Sequence, residues 1–147
     1  MRFECAIGKI RYILGQADRF LTQKISEEGL PILVNHIPLF YILPEDKSHL
    51  LFNEVVDRWK ISKSSLSDII TKYQGIDIVE KRECILDKRS VYVSLTEKGL
   101  EVRASLKRYE TEFLDKMLEG ISVEERVVLE GILDKAVKNM GYCKSCE

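Results

Sequence analysis

The sequence predicts a mainly α-helical protein that carries one small β-hairpin. Apolar residues recur at helical spacing along most of the 147-residue chain. The segment 91–95 instead alternates apolar and polar residues, with the period of a half-buried strand. The charged turn Asp87-Lys88-Arg89 precedes that strand and would form the hairpin tip. Two short helices joined by a three-residue turn lie before the hairpin. Together these features predict a winged helix-turn-helix with long flanking helices.

Four helices are predicted before the hairpin. They span about residues 1–28, 35–43, 51–59 and 62–73. Asn35 is expected to cap the second helix, and Pro38 is tolerable in its first turn. Ser62 ends the connector 60–62 and is expected to cap the fourth helix. The buried stripe of the fourth helix is predicted to be Leu66, Ile69, Ile70 and Tyr73.

The hairpin and two further helices complete the predicted order. Residues 76–84 and 91–95 form its strands, joined by a turn at 85–90. Thr96 is expected to cap a long helix that ends at Gly120. Ser122 and Glu125 have the spacing of a capping box that opens the last helix. One face of that helix carries Val128, Ile132, Ala136 and Met140.

Size and composition indicate one soluble cytoplasmic domain. The chain is 45% hydrophobic and 32% charged, and its apolar runs are too short for a membrane span. Its N-terminus lacks the apolar core of a signal peptide. Without an export signal, the four cysteines are expected to be reduced thiols, so a disulfide scaffold is not expected.

Charge is segregated along the chain. The net charge is -1, but residues 58–108 hold twelve Lys or Arg against seven Asp or Glu. The remaining residues hold eleven basic and seventeen acidic side chains. A basic face on an acidic body is typical of a nucleic-acid-binding protein.

The segment Asp87-Lys88-Arg89, followed by Val91-Tyr92-Val93-Ser94-Leu95-Thr96-Glu97-Lys98-Gly99, resembles the MarR family of winged-helix transcriptional regulators. The family pattern is Asp, any residue and Arg, then a strand that ends in Leu-Thr and Lys-Gly. The resemblance covers almost the whole chain. It implies one domain over residues 1–147 that forms a homodimer and binds a pseudo-palindromic operator in double-stranded DNA. Within it, 1–28 and 106–141 would supply the dimerisation helices, 35–100 the DNA-binding lobe and 142–147 a tail.

The first half of the fourth helix would carry most of the DNA contacts. Short polar side chains let a helix backbone approach DNA closely, and the helix N-terminus favours phosphate. The predicted DNA-binding residues on this helix are Ser62, Lys63, Ser64, Ser65, Ser67, Asp68 and Lys72. The alternative interpretation of these serines is an ordinary solvated helix start.

On the wing, Arg89 is expected to enter the minor groove, with Asp87 orienting it from two residues away. Lys88 would contact phosphate, as would Lys63 and Lys72. The alternative is an exposed Asp87–Arg89 ion pair that only stabilises the turn.

Two positions depart from the family pattern. Asp77 stands where the family usually has glycine, and Asp tolerates positive φ better than most residues. Asp68 stands where many relatives have a basic or neutral residue on the recognition helix. Its carboxylate would repel phosphate but could accept a hydrogen bond from cytosine N4, so it affects which sequence is recognised.

The chain also carries candidate effector and redox residues. The resemblance implies a repressor released by a small molecule, often a small aromatic acid, and the candidate residues are Tyr12, His36, Phe40 and Tyr41. Ordinary core packing is the alternative role of these aromatic residues. An alternative function is redox sensing through Cys5, Cys143 and Cys146, which could form a disulfide or a shared metal site if the first and last helices pack together. Cys5 lies in a region comparable to that of the sensing cysteine of the organic hydroperoxide regulators, but residues 3–7 do not match their motif.

Other classes of function have less support in the sequence. No metal site is predicted, because a single CxxC motif supplies only two of four ligands. No cofactor or enzymatic activity is predicted, because neither His36 nor His49 accompanies a nucleophile motif and no phosphate-cradling glycine loop is present. A winged helix that binds only other proteins is the remaining alternative.

Overall fold

The structure, a computed structural model, describes residues 4–87 and 89–141. Lys88, Cys143, Cys146 and the predicted tail 142–147 lie outside the described residues. The chain divides into two compact units, residues 1–111 and 112–147. The single domain expected over residues 1–147 stays a prediction.

The described residues form six helices and one three-stranded sheet, which confirms the predicted fold class. In chain order the elements are α1 (Ala6–Glu27), a 3-10 turn (Val34–His36), α2 (Ile37–Ile42), β1 (Leu50–Leu51), α3 (Phe52–Trp59), α4 (Lys63–Gln74), β2 (Val79–Glu83), β3 (Val91–Leu95), α5 (Glu97–Met117) and α6 (Val123–Asn139). None of these helices is both long and apolar enough to cross a lipid bilayer.

The sheet is antiparallel and has the order β1-β3-β2. The predicted hairpin is present and pairs Val79 with Leu95, but the two-residue strand β1 was not predicted. Because β3 is the central strand, it has neighbours on both edges, and Ser94 is buried as well as Val93 and Leu95. The expectation of a strand buried on one face only was therefore wrong at Ser94.

The first unit contains a continuous apolar core. Leu39, Leu66, Tyr73, Val93 and Leu106 belong to it, and each is inaccessible to solvent. They come from α2, α4, β3 and α5, so the helix-turn-helix and the wing share one core. Burying one large apolar side chain contributes about 1.5–3 kcal/mol, so α4 is fixed mainly by packing.

Local differences from the predictions have identifiable causes. Asn35 does not cap α2, because the chain enters that helix through the 3-10 turn closed by the His36 N–H to the Leu33 carbonyl at 3.0 Å. Strand β2 starts at Val79 rather than at residue 76, because the preceding residues form a turn in which Asp77 has φ of 61°. The positive φ predicted to be tolerable at Asp77 is therefore confirmed.

The second unit contains the end of α5 and all of α6. The capping box at Ser122 and Glu125 is confirmed, with both reciprocal hydrogen bonds present. The Arg126 guanidinium donates to the Leu118 carbonyl at 2.9 Å and lies 3.6 Å from the Asp115 carboxylate. No residue of α6 is buried.

Candidate nucleic-acid interface

Helix α4 presents a polar face to solvent. Ser62 caps it, as predicted, by accepting a hydrogen bond from the Ser65 N–H at 3.1 Å. All seven predicted DNA-binding residues of the segment 62–72 are exposed. Leu66, Ile70 and Tyr73 anchor the opposite face in the core, whereas Ile69 is only partly buried. The segment therefore combines a fixed inner face with an open outer face that a ligand can reach.

Hydroxyl groups cluster at the start of α4. The Ser62 hydroxyl donates to Ser65 Oγ at 2.8 Å and lies 3.2 Å from Ser64 Oγ. Lys63 follows directly, and the positive end of the helix dipole lies at this terminus. Donor groups and positive charge at one exposed site suit an anionic partner such as a phosphate.

Thr96 joins the base of the wing to the end of α4. Its hydroxyl caps α5 by accepting from the Gly99 N–H at 3.0 Å, which confirms the predicted cap. The same hydroxyl lies 2.6 Å from the Asp77 carbonyl oxygen, to which it donates. Lys98 also donates to the Ile76 carbonyl at 2.9 Å. The turn after α4 is thus fixed by residues that follow the wing.

Gly99 permits this close approach. A Cβ atom at this position would lie 2.3 Å from the Ile78 carbonyl oxygen and 3.1 Å from Leu95 Cδ2. The positioning roles of Thr96, Lys98 and Gly99 were not predicted. The Leu-Thr and Lys-Gly pattern was the signal that could have indicated them.

Asp87 organises the backbone of the wing tip. Its two carboxylate oxygens accept hydrogen bonds from the Arg89 N–H at 3.0 Å and the Ser90 hydroxyl at 3.2 Å. The hairpin closes with the Cys84 N–H donating to the Ser90 carbonyl at 2.9 Å. Asp87 was expected to orient the Arg89 guanidinium, but its contacts with Arg89 and Ser90 are to the backbone amide and the hydroxyl. Arg89 itself is exposed at the tip.

The tip also contains features that the sequence patterns did not predict. Ile85 and Leu86 are each 97% exposed. Hydrogen bonds from the Asp87 and Leu86 backbone amides lower the pKa of the Cys84 thiol below its ordinary value. The wing therefore presents aliphatic, thiol and guanidinium groups within a single short loop.

Two of the predicted effector-binding residues, His36 and Phe40, both contact Tyr73, whereas Tyr12 lies on α1. Tyr12 lies on α1 and is half exposed, whereas Phe40 is fully buried in the core. His36 Nδ1 lies 2.7 Å from the Tyr73 hydroxyl. The Phe40 and His36 rings both contact the Tyr73 ring edge to face, at centroid distances of 6.0 and 5.5 Å.

The fourth, Tyr41, contacts a cation that already has partners. The Arg103 guanidinium carbon lies 5.6 Å from the centre of the Tyr41 ring. Arg103 also donates to the Phe40 carbonyl at 2.6 Å and forms an ion pair with Glu45. Burial raises the pKa of Tyr41, and its hydrogen bond with Glu110 raises it further. An effector role for these four residues stays a prediction.

Among the predicted redox residues, Cys5 is the one that the described residues include. It is exposed and caps α1, with its sulfur accepting a hydrogen bond from the Gly8 N–H at 3.4 Å. Its predicted redox role is untested.

Comparison with known proteins identifies the fold. Neither a family model nor a curated protein matches the sequence. Solved structures do match. Apo MarR from E. coli is 18% identical with a TM-score of 0.73, covering 92% of this chain and 98% of that one. A MarR transcriptional regulator from Methanosarcina mazei Go1 is 24% identical with a TM-score of 0.78, covering 90% of this chain and 94% of that one. The chain has the MarR winged-helix fold.

A further structure with the MarR fold contains nucleic acid. It is a putative MarR-family regulator from Listeria monocytogenes complexed with 26mer DNA, 21% identical with a TM-score of 0.76. The match covers 94% of this chain and 90% of that chain. In terms of the MarR fold, α3 and α4 are the helix-turn-helix and β2 and β3 the wing.

Proposed function

We propose that the protein is a sequence-specific DNA-binding transcriptional regulator that acts as a homodimer. The observation that carries this proposal is the arrangement of α4: its polar N-terminal half is open to solvent, while Leu66 and Tyr73 fix it in the core. The Listeria regulator, which has the same fold and is complexed with 26mer DNA, supports DNA as the partner.

In the proposed complex, α4 enters the major groove with its N-terminal residues toward the bases. Ser64, Ser65 and Ser67 allow close approach, and Asp68 accepts a hydrogen bond from cytosine N4. Lys63 and Lys72 neutralise phosphates and add affinity for any sequence. These side chains are exposed and therefore available without rearrangement.

The wing would bind beside α4 in the minor groove. Asp87 fixes the backbone at Arg89, which lowers the entropy lost when the guanidinium enters a narrow groove. Thr96 connects this wing to the turn after α4. The two DNA-contacting elements would therefore act as one rigid unit.

A second copy of the chain would cover the apolar face of α6. Val128 is 60% exposed, Ile132 57% and Met140 80%. Helix α1 likewise exposes Ile7 at 62% and Leu14 at 58%. Such apolar stripes are typical of helices that pack against a partner. The resulting dimer would place two winged lobes on a pseudo-palindromic operator.

Repression with release by a small aromatic acid is the expected form of regulation. Occupancy of an operator blocks access to the promoter, and a ligand that binds the DNA-free conformation more tightly relieves the block. Tyr12, His36, Phe40 and Tyr41 remain the candidate effector residues.

Selection of bound sequences from a random duplex library tests DNA binding directly. Arg89→Ala should weaken binding to the selected operator by about tenfold or more at fixed salt, because a groove contact is lost. Arg19→Ala removes the same charge from the exposed surface of α1 and serves as the matched control. Unchanged affinity in Arg89→Ala would exclude the wing contact, and a library that yields no enriched sequence would exclude sequence-specific binding.

Sedimentation equilibrium tests the homodimer. Ile132→Glu places a charge on the apolar face of α6 and should convert a dimer to monomers. Glu124→Gln changes an exposed residue in the first turn of α6 and should leave the dimer intact. A wild-type protein that is monomeric at micromolar concentration would contradict the proposal.

A further inference from the structure

One hydroxyl group connects the segment before α2 with α4. Tyr73, in the last turn of α4, is inaccessible to solvent. Its hydroxyl oxygen lies 3.2 Å from the Leu33 backbone nitrogen and 2.7 Å from His36 Nδ1. Leu33 and His36 are 40 and 37 residues away in the sequence, so this is a tertiary contact.

The two neighbours of the Tyr73 hydroxyl favour one arrangement of protons. The Leu33 amide can only donate, so the Tyr73 oxygen accepts from it. If His36 Nδ1 is unprotonated, the Tyr73 hydroxyl proton has an acceptor at 2.7 Å; if Nδ1 carries a proton, Leu33 and His36 both donate to the same oxygen and the hydroxyl proton loses this acceptor. Nδ1 accepts only in the neutral imidazole that carries its proton on Nε2. The arrangement that satisfies every donor is therefore uncharged His36 with Nδ1 unprotonated, and we assign this tautomer to it.

The surroundings of His36 also favour its neutral form. Burial lowers the pKa of His36 from its ordinary value of 6.5, and the positive charge of Lys72 on α4 lowers it further. Trp59 of α3 contacts the imidazole edge to face at 6.4 Å and carries no charge. Burial raises the pKa of Tyr73, so its hydroxyl retains the proton that the contact requires.

Tyr73 also lies where α4 meets the turn that leads to the wing. The Tyr73 carbonyl oxygen accepts a hydrogen bond from the Ile78 N–H at 2.9 Å. The Thr96 hydroxyl donates to the carbonyl of Asp77, the residue before Ile78. A proton on His36 Nδ1 would leave the buried Tyr73 hydroxyl proton without its acceptor. An unsatisfied buried donor is costly, so α4 would shift to relieve it.

We propose that neutral His36 is a positioning residue for the DNA-binding surface, acting through the Tyr73 hydroxyl on α4. The inference rests on the proposed function, since it assumes that α4 contacts DNA. Protonation of His36 at low pH then disrupts the contact that holds α4 in position and weakens DNA binding. Because the pKa of His36 is lowered in the folded chain, the unfolded chain takes up this proton first as pH falls. The stabilisation is therefore complete above about pH 6.5 and is lost on acidification.

Substitutions at the two histidines of the chain provide a matched test. His36→Asn can place an amide oxygen where Nδ1 lies, so it retains the acceptor but does not titrate. His49→Asn makes the same change on the wing side, where His49 contacts Tyr92. Tyr73→Phe removes the hydroxyl and keeps the ring.

DNA affinity across pH is the first measurement. Between about pH 7.5 and pH 5.5, we expect wild-type operator affinity to fall about three- to tenfold, and affinity of His49→Asn to fall equally. His36→Asn should vary by less than about twofold over that range. Tyr73→Phe, where circular dichroism shows it to be folded, should also lose the pH dependence. A His36→Asn profile that matches the wild type would overturn the proposal.

Imidazole titration by nuclear magnetic resonance, without DNA, is the second measurement. We expect His36 to titrate below 6.5 with Nδ1 unprotonated at neutral pH, and Tyr73→Phe to raise its pKa. A His36 that titrates at or above 6.5, or that carries its neutral proton on Nδ1, would overturn the contact itself. If neither the wild type nor any variant binds DNA at any pH, the proposed function is wrong. The titration without DNA still tests whether His36 accepts the Tyr73 hydroxyl proton.

Discussion

Helices α4 and α6 have similar sequence patterns but very different surroundings. Both have a serine cap and an apolar stripe at helical spacing. In the 12-residue α4, Leu66, Ile70 and Tyr73 are buried, whereas the 17-residue α6 buries no residue. Amphipathic periodicity therefore predicts that a helix has an apolar face, but it does not predict whether that face is buried.

The two helices therefore offer different surfaces: α4 has a polar face held in place by core packing, and α6 has an exposed apolar face. The packing of α4 fixes the orientation of its polar face, as the proposed contact with DNA requires. Burying the exposed apolar side chains of α6 against a partner would lower the free energy, because apolar surface would leave water. Large exposed apolar residues on α6 are Val123, Val127, Val128, Ile132, Leu133 and Val137.

Matched leucine truncations give the largest expected difference between the two helices. Leu66→Ala should lower the free energy of unfolding by about 2–5 kcal/mol at every protein concentration, because Leu66 is fully buried. Leu133 is 48% exposed, so Leu133→Ala should lose under about 1.5 kcal/mol within one chain. Urea unfolding over a range of concentrations measures both. If α6 packs against a second copy, the loss of stability in Leu133→Ala should increase with the fraction of dimer. A loss in Leu133→Ala that exceeds that in Leu66→Ala under monomeric conditions would contradict the difference in burial between the two helices.

Two glycines should respond to alanine with opposite signs. Gly99→Ala places Cβ 2.3 Å from the Ile78 carbonyl oxygen and should destabilise the protein by about 1–3 kcal/mol. Gly131 lies inside α6, and apart from its chain neighbours and the adjoining helix backbone no described atom comes within 4 Å of the position that a Cβ would take there, so Gly131→Ala should stabilise by about 0.5–1 kcal/mol. Thermal unfolding compares them. Destabilisation in Gly131→Ala would indicate close packing against a second copy.

The two serine caps should give the smallest difference in stability between matched variants. Ser62→Ala and Ser122→Ala should each cost about 0.5–2 kcal/mol, since each hydroxyl accepts a backbone N–H in the first turn. Only Ser62→Ala should also weaken operator binding. Equal losses of DNA affinity in the two variants would show that helix stability, rather than contact by the start of α4, controls binding.

The sequence predicted those features that depend on neighbouring residues. The caps at Ser62 and Ser122, the β3 strand and the positive φ tolerated at Asp77 follow from local patterns, and the structure confirms them. The prediction that Asn35 caps α2 was wrong because a 3-10 turn occupies residues 34–36, and the Leu33 N–H before it donates to the distant Tyr73 hydroxyl. Strand β1 was missed because its two residues have no periodicity to detect.

The order of the helices, the wing and the polar residues of α4 could be predicted from the sequence, because side-chain period, capping and turn chemistry act over a few residues. The link from Tyr73 on α4 to His36, the fixing of the wing base by Thr96 and Gly99, and the lack of buried residues in α6 became visible only in the three-dimensional structure. These features depend on which distant surfaces meet. Hydrogen bonds and close approaches across tens of residues leave no spacing pattern in the chain.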